Sequence, residues 1–436
     1  MLKTQLLIFM GILLIPLTIM GIDSPERSVR FKEIRKPYKT ISPYIKSLLK
    51  MDQTKRSRTV AAFWQSPMLR KKGLPLVEAD PMDKSYQYVT FLYRSGKRRL
   101  NIKIDVFGIY DEPCLGNRIL RHLPGTNLYY RSYKMPRDIC LSYRFQVNKG
   151  DGRIRHESDP LNPYRIPSGK IQPFSYSLLD LAPPKFDLNR KMESDSGSRI
   201  EIIEFPDPLI QRDRKIRIYL PQGYDPKRTQ PYPVIYLFDA FIYLNRIEVP
   251  NILENLLRQK QIEPMVAVLV SSYRKSRDKT LPLKFDFKKL FVSKIVPMIR
   301  KRYPVSHLPE ENIIGGISFG GLAASFIAFY HPDLFGKVLS QSGSFWRDQS
   351  FKDEQGEWLR DDWLIRRFQA SEKKPLRFFL DWGLQEQWVL GSGRRFVRVL
   401  KSKGYPLRYI EFNGWHCWSN SRKTFADGLL YLLKKP

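Results

Sequence analysis

The pentapeptide Gly316-Ile317-Ser318-Phe319-Gly320 and its flanks restrict this chain more than any other stretch. Upstream, Asn312-Ile313-Ile314-Gly315 reads as the end of a short buried strand. Downstream, Gly321-Leu322-Ala323-Ala324-Ser325-Phe326-Ile327-Ala328 is apolar, free of proline and helix-compatible. A serine on so sharp a strand-to-helix turn has its hydroxyl pushed out of the sheet. The residues two positions to either side must be glycine, because a Cβ there would strike the adjoining strand or helix. The pattern predicts a strand–elbow–helix unit, and with it acyl transfer through a covalent serine ester.

The surrounding sequence supplies the rest of a sheet. Strands are expected at Ile200–Phe205, Arg214–Tyr219, Val234–Phe238, Met265–Val270, Asn312–Ile314, Val338–Ser340, Leu376–Asp381 and Leu407–Phe412. Helices are expected between most of them, near 247–259, 285–302, 320–330, 357–369, 391–403 and 420–433. Such alternation with apolar strand runs argues an α/β fold with a mainly parallel sheet covered on both faces. The first two strands, joined without a helix, form an antiparallel edge in this reading.

At 436 residues the chain is long enough for two domains. From Phe63 to about residue 148 the pattern is β-like, with short alternating runs at Tyr88–Tyr93, Asn101–Val106, Asn127–Arg131 and Leu141–Val147 separated by turn signals. A β-sandwich over residues 23–157 is expected, with a basic, polar lead-in over 25–55 that wraps or links. The Pro-rich stretch 158–195 reads as the interdomain connection, leaving 196–436 as the α/β domain. At the start, Lys3 precedes an apolar run from Leu6 to Ile22 that ends at Asp23-Ser24-Pro25. It is expected to act as a signal peptide or membrane anchor, which places the protein in the periplasm or envelope.

Composition narrows the function classes. A hydrophobic content of 42% with 13% aromatics excludes general disorder. Lys and Arg number 75 against 43 Asp and Glu, a net charge of +32. The basic residues are scattered in short pairs such as Arg98-Arg99, Lys373-Lys374 and Lys434-Lys435, without a long basic run or zinc-finger spacing, so no nucleic acid is expected as partner. The charge instead suits an anionic substrate or an anionic membrane surface. Cys114, Cys140 and Cys417 are too few for a disulfide framework; Cys114 and Cys140 either pair or stay free. Five histidines, no two at ligand spacing, imply no metal site, and no cofactor is expected.

A serine of ordinary pKa needs a base within hydrogen-bond reach and a group that orients the base. In this type of fold they follow the nucleophile in the order acid, then histidine. His416, in Asn413-Gly414-Trp415-His416-Cys417-Trp418, follows the strand Leu407–Phe412 and is the expected base. For the acid, Glu386 stands in the loop after Leu376–Asp381, with Asp381 as its rival and Asp361 and Asp362 further back. Two backbone donors must face the oxyanion: Phe319, next to the nucleophile, and Ala240, in the turn after Val234–Phe238.

With these residues in view, the second half resembles the esterase-D-like branch of the α/β-hydrolases, and the chain from about residue 60 to 435 resembles the enterochelin esterases. The matching stretches are Tyr232–Asp239, Gly315–Ala323, His331–Gly336, Leu339–Trp346 and Gly414–Trp418, with Phe63-Trp64, Gly73–Glu78, Val89–Arg94, Leu123–Thr126 and Ser158–Pro163 in the first half. The resemblance implies cleavage of the serine esters of a tris-catecholate trilactone siderophore, an anionic ferric complex. It also implies substrate-facing roles for Asp239, Arg277 and Trp346, although the residues around Arg277 favour reading it as a solvated surface residue. The chain departs from the family where Ala240 replaces a glycine, where Trp415 and Cys417 flank the base, and where Arg277–Leu281 lacks a carboxylate before its leucine. Two other readings remain: a carbohydrate or lipid ester hydrolase or acyltransferase, with Tyr129, Tyr130 and Tyr133 as a sugar platform, and an inactive envelope binding protein.

Overall fold

The computed structural model describes residues 41–96, 100–107, 117–148, 150, 152–166, 176–181, 198–273, 277, 281, 285–346 and 362–434. The apolar leader, Cys114, Asp361 and Asp278-Lys279-Thr280 lie outside the described residues.

Three helices come first: α1 (Pro43–Leu49), α2 (Gln53–Gln65) and α3 (Pro67–Lys72). Their starts are written locally. Ser42, Asp52 and Ser66 each accept a backbone N–H three residues on, and Pro43 and Pro67 occupy first-turn positions where no donor is needed. The part of the expected lead-in that the structure describes is thus largely helical, and the β-like start at Phe63 is corrected to helix. Ile45, Leu48, Val60, Phe63, Trp64 and Leu69 bury against Leu92, Leu123, Leu128 and Tyr130 of the strands that follow.

Those strands are β1 (Leu76–Ala79), β2 (Tyr86–Arg94), β3 (Asn101–Val106), β4 (Arg121–His122), β5 (Leu128–Pro136), β6 (Cys140–Asn148), β7 (Ile154–Glu157), β8 (Arg165–Ile166) and β9 (Tyr176–Asp180). They form two antiparallel sheets, β1-β2-β5-β4 and β3-β6-β9-β8, with β7 also on β6. One buried cluster draws on both, including Val89 and Phe91 from the first and Ile102, Ile104, Tyr143 and Phe145 from the second. The Pro-rich stretch expected as a connection supplies β8 and β9 instead, because its apolar residues Ile166, Tyr176 and Leu179 are buried. Tyr129, Tyr130 and Tyr133 are at most 7% exposed and belong to the core, so they offer no sugar platform.

The second half builds one sheet of eight strands: β10 (Arg199–Asp207), β11 (Arg212–Leu220), β12 (Val234–Phe238), β13 (Val266–Val270), β14 (Asn312–Ile317), β15 (Lys337–Gln341), β16 (Arg377–Gly383) and β17 (Leu407–Phe412). Their order is β10-β11-β13-β12-β14-β15-β16-β17. β10, β11 and β13 pair antiparallel and the remaining pairs run parallel, as the missing helix between the first two strands implied. The covering helices are α4 (Ala240–Asn245), α5 (Val249–Arg258), α6 (Phe285–Leu290), α7 (Val296–Arg302), α8 (Phe319–Tyr330), α9 (Trp363–Ala370), α10 (Gln387–Ser402) and α11 (Trp418–Leu433), with a π-helical turn joining α6 to α7. Every residue of β12, β13 and β14 is buried, which is why these strands read as continuous apolar runs. The short α4 was not expected.

Candidate active site

Ser318 sits between β14 and α8 with φ 60° and ψ −119°, a left-handed conformation a non-glycine residue adopts only when its surroundings enforce it. The enforcement is steric. A Cβ on Gly316 would lie 2.7 Å from Gly320 Cα, so the strand and helix could not close on the turn. Ser318 N–H donates to Gln341 O at 2.8 Å, and its carbonyl accepts from Leu322 N at 3.1 Å and Ser344 N at 3.2 Å. The Ser318 and Ser344 hydroxyls are 3.1 Å apart.

Two strands away, β16 and β17 bring the expected base and acid to the same edge. His416 Nδ1 is 2.7 Å from Glu386 Oε2, with the two side chains 10% and 0% exposed. The other carboxylate oxygen accepts from Ser342 Oγ at 2.7 Å and from Gly383 N at 2.8 Å. Three hydrogen-bond partners therefore converge on the buried Glu386 carboxyl and fix its orientation. Asp381, the rival, is fully buried inside β16 and accepts Ser342 N–H at 3.0 Å. Burial pushes its carboxyl up to about 7. Asp362 precedes α9 and is paired with Arg395.

Phe319 and Ala240 are the first residues of α8 and α4, positions whose N–H groups point out of a helix rather than to a preceding carbonyl. Each follows a residue with positive φ, Ser318 at 60° and Asp239 at 62°. Because β12 and β14 are neighbours in register, both turns open at one end of the sheet. Asp239 is 4% exposed and is held by Arg277, whose Nε lies 2.9 Å from Oδ1 and 3.1 Å from Oδ2. Arg277 Nη2 also donates to Ile317 O at 3.2 Å, and the guanidinium lies 5.2 Å from the Phe319 ring centre. Arg277 is thus not a solvated surface residue. It neutralises Asp239 and ties the two turns together.

Trp346 continues the site as a row of rings: 6.4 Å to Phe319, 5.7 Å to Trp388, and from Trp388 5.3 Å to His416. Ser342, Ser344 and Trp388 were missed from sequence. The two serines lay in the stretch Leu339–Trp346 already singled out, while nothing in the sequence marked Trp388. Among the described residues no group of three or more His, Cys, Asp or Glu is placed to hold a metal. Cys140 and Cys417 are buried free thiols.

A sheet of this order, with Ser318 after its fifth strand in chain order, Glu386 after the seventh and His416 after the eighth, defines an α/β-hydrolase fold. The chain belongs to the esterase family whose model, described as "Putative esterase", matches residues 208–432, and it is a carboxylic ester hydrolase. It is 25% identical over 415 residues to the iron(III) enterobactin esterase of Dickeya dadantii (strain 3937), covering 85% of this chain and 92% of that protein. The iron(III) salmochelin esterase of Escherichia coli O6:H1 is 21% identical, with 84% and 92% covered. Among solved structures, the ferric enterobactin esterase of Salmonella typhimurium superposes with a TM-score of 0.70 at 21% identity, covering 85% of this chain and 98% of that one.

Proposed function

We propose that this protein hydrolyses the ester bonds of a siderophore of the enterobactin class, with Ser318 as nucleophile, His416 as general base and Glu386 as the acid that orients it. The observation that carries the reading is the 2.7 Å contact of His416 Nδ1 with a buried Glu386 carboxylate, at the sheet edge where the Ser318 elbow opens. With Nδ1 donating to Glu386, the imidazole keeps Nε2 as acceptor for the serine proton. Ser318 Oγ attacks the ester carbonyl carbon while His416 Nε2 takes its proton, and the Phe319 and Ala240 N–H groups face the resulting oxyanion. Collapse breaks the ester C–O bond, His416 returns the proton to the departing alkoxide, and water then hydrolyses the acyl-serine by the same steps.

The substrate class rests on the likeness to the two siderophore esterases over most of both chains. The +32 charge agrees with an anionic ferric catecholate as substrate and with association at an anionic membrane surface. We read the two antiparallel sheets as a β-sandwich domain ending after β9, followed by the hydrolase domain from β10, and the apolar segment 1–22 as directing the protein to the periplasm or envelope.

The test compares purified wild type with Ser318→Ala on a short p-nitrophenyl ester, a linear catechol-serine ester and ferric enterobactin. Hydrolysis of all three by wild type and of none by the variant is expected. Activity confined to the p-nitrophenyl ester would remove the siderophore assignment, and wild-type inactivity on all three would remove the enzyme reading.

A further inference from the structure

The loop carrying His416 is held from two sides. Toward the hydrolase, Gly414 N–H donates to Gln385 Oε1 at 2.6 Å, Gly414 O accepts from Gln385 N at 3.2 Å, and Asn420 Nδ2 donates to Trp415 O at 3.0 Å. Toward the amino-terminal sheets, Cys140 N–H donates to Asn413 O at 3.2 Å, and Cys140 and Gly414 form a parallel bridge. Asn413 Nδ2 donates to Asp138 Oδ1 at 2.6 Å, and Cys417 Sγ lies 2.7 Å from Ser142 Oγ. Residues 413–417 therefore lie beside the start of β6, joined to it by a single bridge.

The side-chain contacts along this segment alternate. Asn413, Trp415 and Cys417 turn to the amino-terminal sheets, and His416, between them, turns to Glu386. Trp415 is 2% exposed and is the one residue from the second half of the chain in the buried cluster of those sheets, beside Phe91, Tyr143 and Leu179. Rotating the peptide that carries His416 would drag a tryptophan out of a packed core. The docking continues past the loop, where Phe107 lies 4.0 Å from the Trp418 ring and Lys423 Nζ 2.6 Å from Asp180.

We propose that the amino-terminal sheets are part of the catalytic apparatus: by burying Trp415 and pairing β6 with the loop, they position His416 against Glu386 and Ser318. The proposal rests on the reading of His416 as general base. Trp415 is a positioning residue; it acts through the histidine beside it. A displacement of about 1 Å in a catalytic group costs about 100-fold in rate, so the fit of the Trp415 indole in the core of the first half of the chain reaches the chemistry.

The test uses the full chain and a short neutral p-nitrophenyl ester, which needs no contact with the amino-terminal sheets. Trp415→Ala is expected to lower kcat about 100-fold with KM within about twofold, and to abolish the low-field proton resonance of the His416–Glu386 hydrogen bond. Trp415→Phe is expected to restore most of both. Asn413→Ala, which removes only the contact with Asp138, is expected to lower kcat about threefold or more at unchanged unfolding temperature. Wild-type kcat and an intact low-field resonance in Trp415→Ala would overturn the coupling. Should that variant not fold, wild-type kcat in Asn413→Ala overturns it instead. Ser318→Ala and His416→Ala serve as controls: a His416→Ala protein with wild-type kcat would sink the triad itself, a result separate from failure of the coupling.

Discussion

Glu386 and Asp381 show how two carboxylates five positions apart, one inside β16 and one just after it, acquire different work. Both hang from Ser342, Glu386 on its hydroxyl and Asp381 on its N–H, but only Glu386 takes the imidazole. Glu386→Gln keeps the shape and replaces one acceptor oxygen by a donor, so His416 loses the partner that fixes its tautomer. A fall in kcat of about 10⁴-fold is expected in steady-state assays, with KM little changed. Asp381 has a carboxyl pushed up to about 7 by burial, well above its unfolded value. The folded protein then holds a proton there that the unfolded chain has lost, so this group's contribution to stability falls as pH rises from about 4 to about 7 and is level above. Asp381→Asn removes that slope. The difference in unfolding temperature between variant and wild type should grow across that range, and a difference independent of pH would absolve Asp381. The choice between these acids was open in the sequence because spacing does not say which way a side chain at a strand end turns.

At the scale of elements, the elbow was legible down to its glycines, since the clash that forbids a Cβ at Gly316 lies within four residues of chain. Gly316→Ala places its methyl against Gly320 backbone, which cannot step aside. A loss of about 1–3 kcal/mol in denaturant unfolding is expected, together with loss of esterase activity as the turn reopens. The helices before β1 start at local capping signals, Ser42-Pro43 and Ser66-Pro67, which the reading of that stretch as a polar lead-in left unused. Helix α4 was not. Its six residues are too few for a periodic pattern, and it stands because Asp239, at φ 62°, turns the chain sharply out of β12.

For the whole molecule, the excess of 75 basic over 43 acidic residues is a long-range property that acts on encounter more than on contacts. Raising ionic strength from about 10 mM to about 0.5 M shortens the Debye length from about 30 Å to a few ångströms. The kcat/KM for an anionic ferric catecholate is expected to fall about tenfold or more over that range, and that for a neutral p-nitrophenyl ester to stay nearly constant. Equal salt dependence for both substrates would show that the charge serves something other than substrate capture. The two halves of the chain, each with sheets and a core of its own, read naturally as two independent units. Their packing makes them one working unit, because the core of the first half is completed by a tryptophan from the base loop of the second.

By itself the sequence determined whatever depends on neighbours along the chain: the strand–elbow–helix at Ser318, the alternation that makes a mostly parallel sheet, the antiparallel edge, and the chain order in which Ser318, Glu386 and His416 follow their strands. Local sterics and side-chain periodicity act over a few residues and leave their mark in composition and spacing. Only the tertiary structure decided that Glu386 rather than Asp381 meets His416, that Arg277 neutralises Asp239 instead of facing water, that Trp388 stands against His416, and that Trp415 belongs to the other half of the protein. Each of these joins residues far apart in sequence, and what selects them is the burial of particular surfaces against one another, which no spacing encodes.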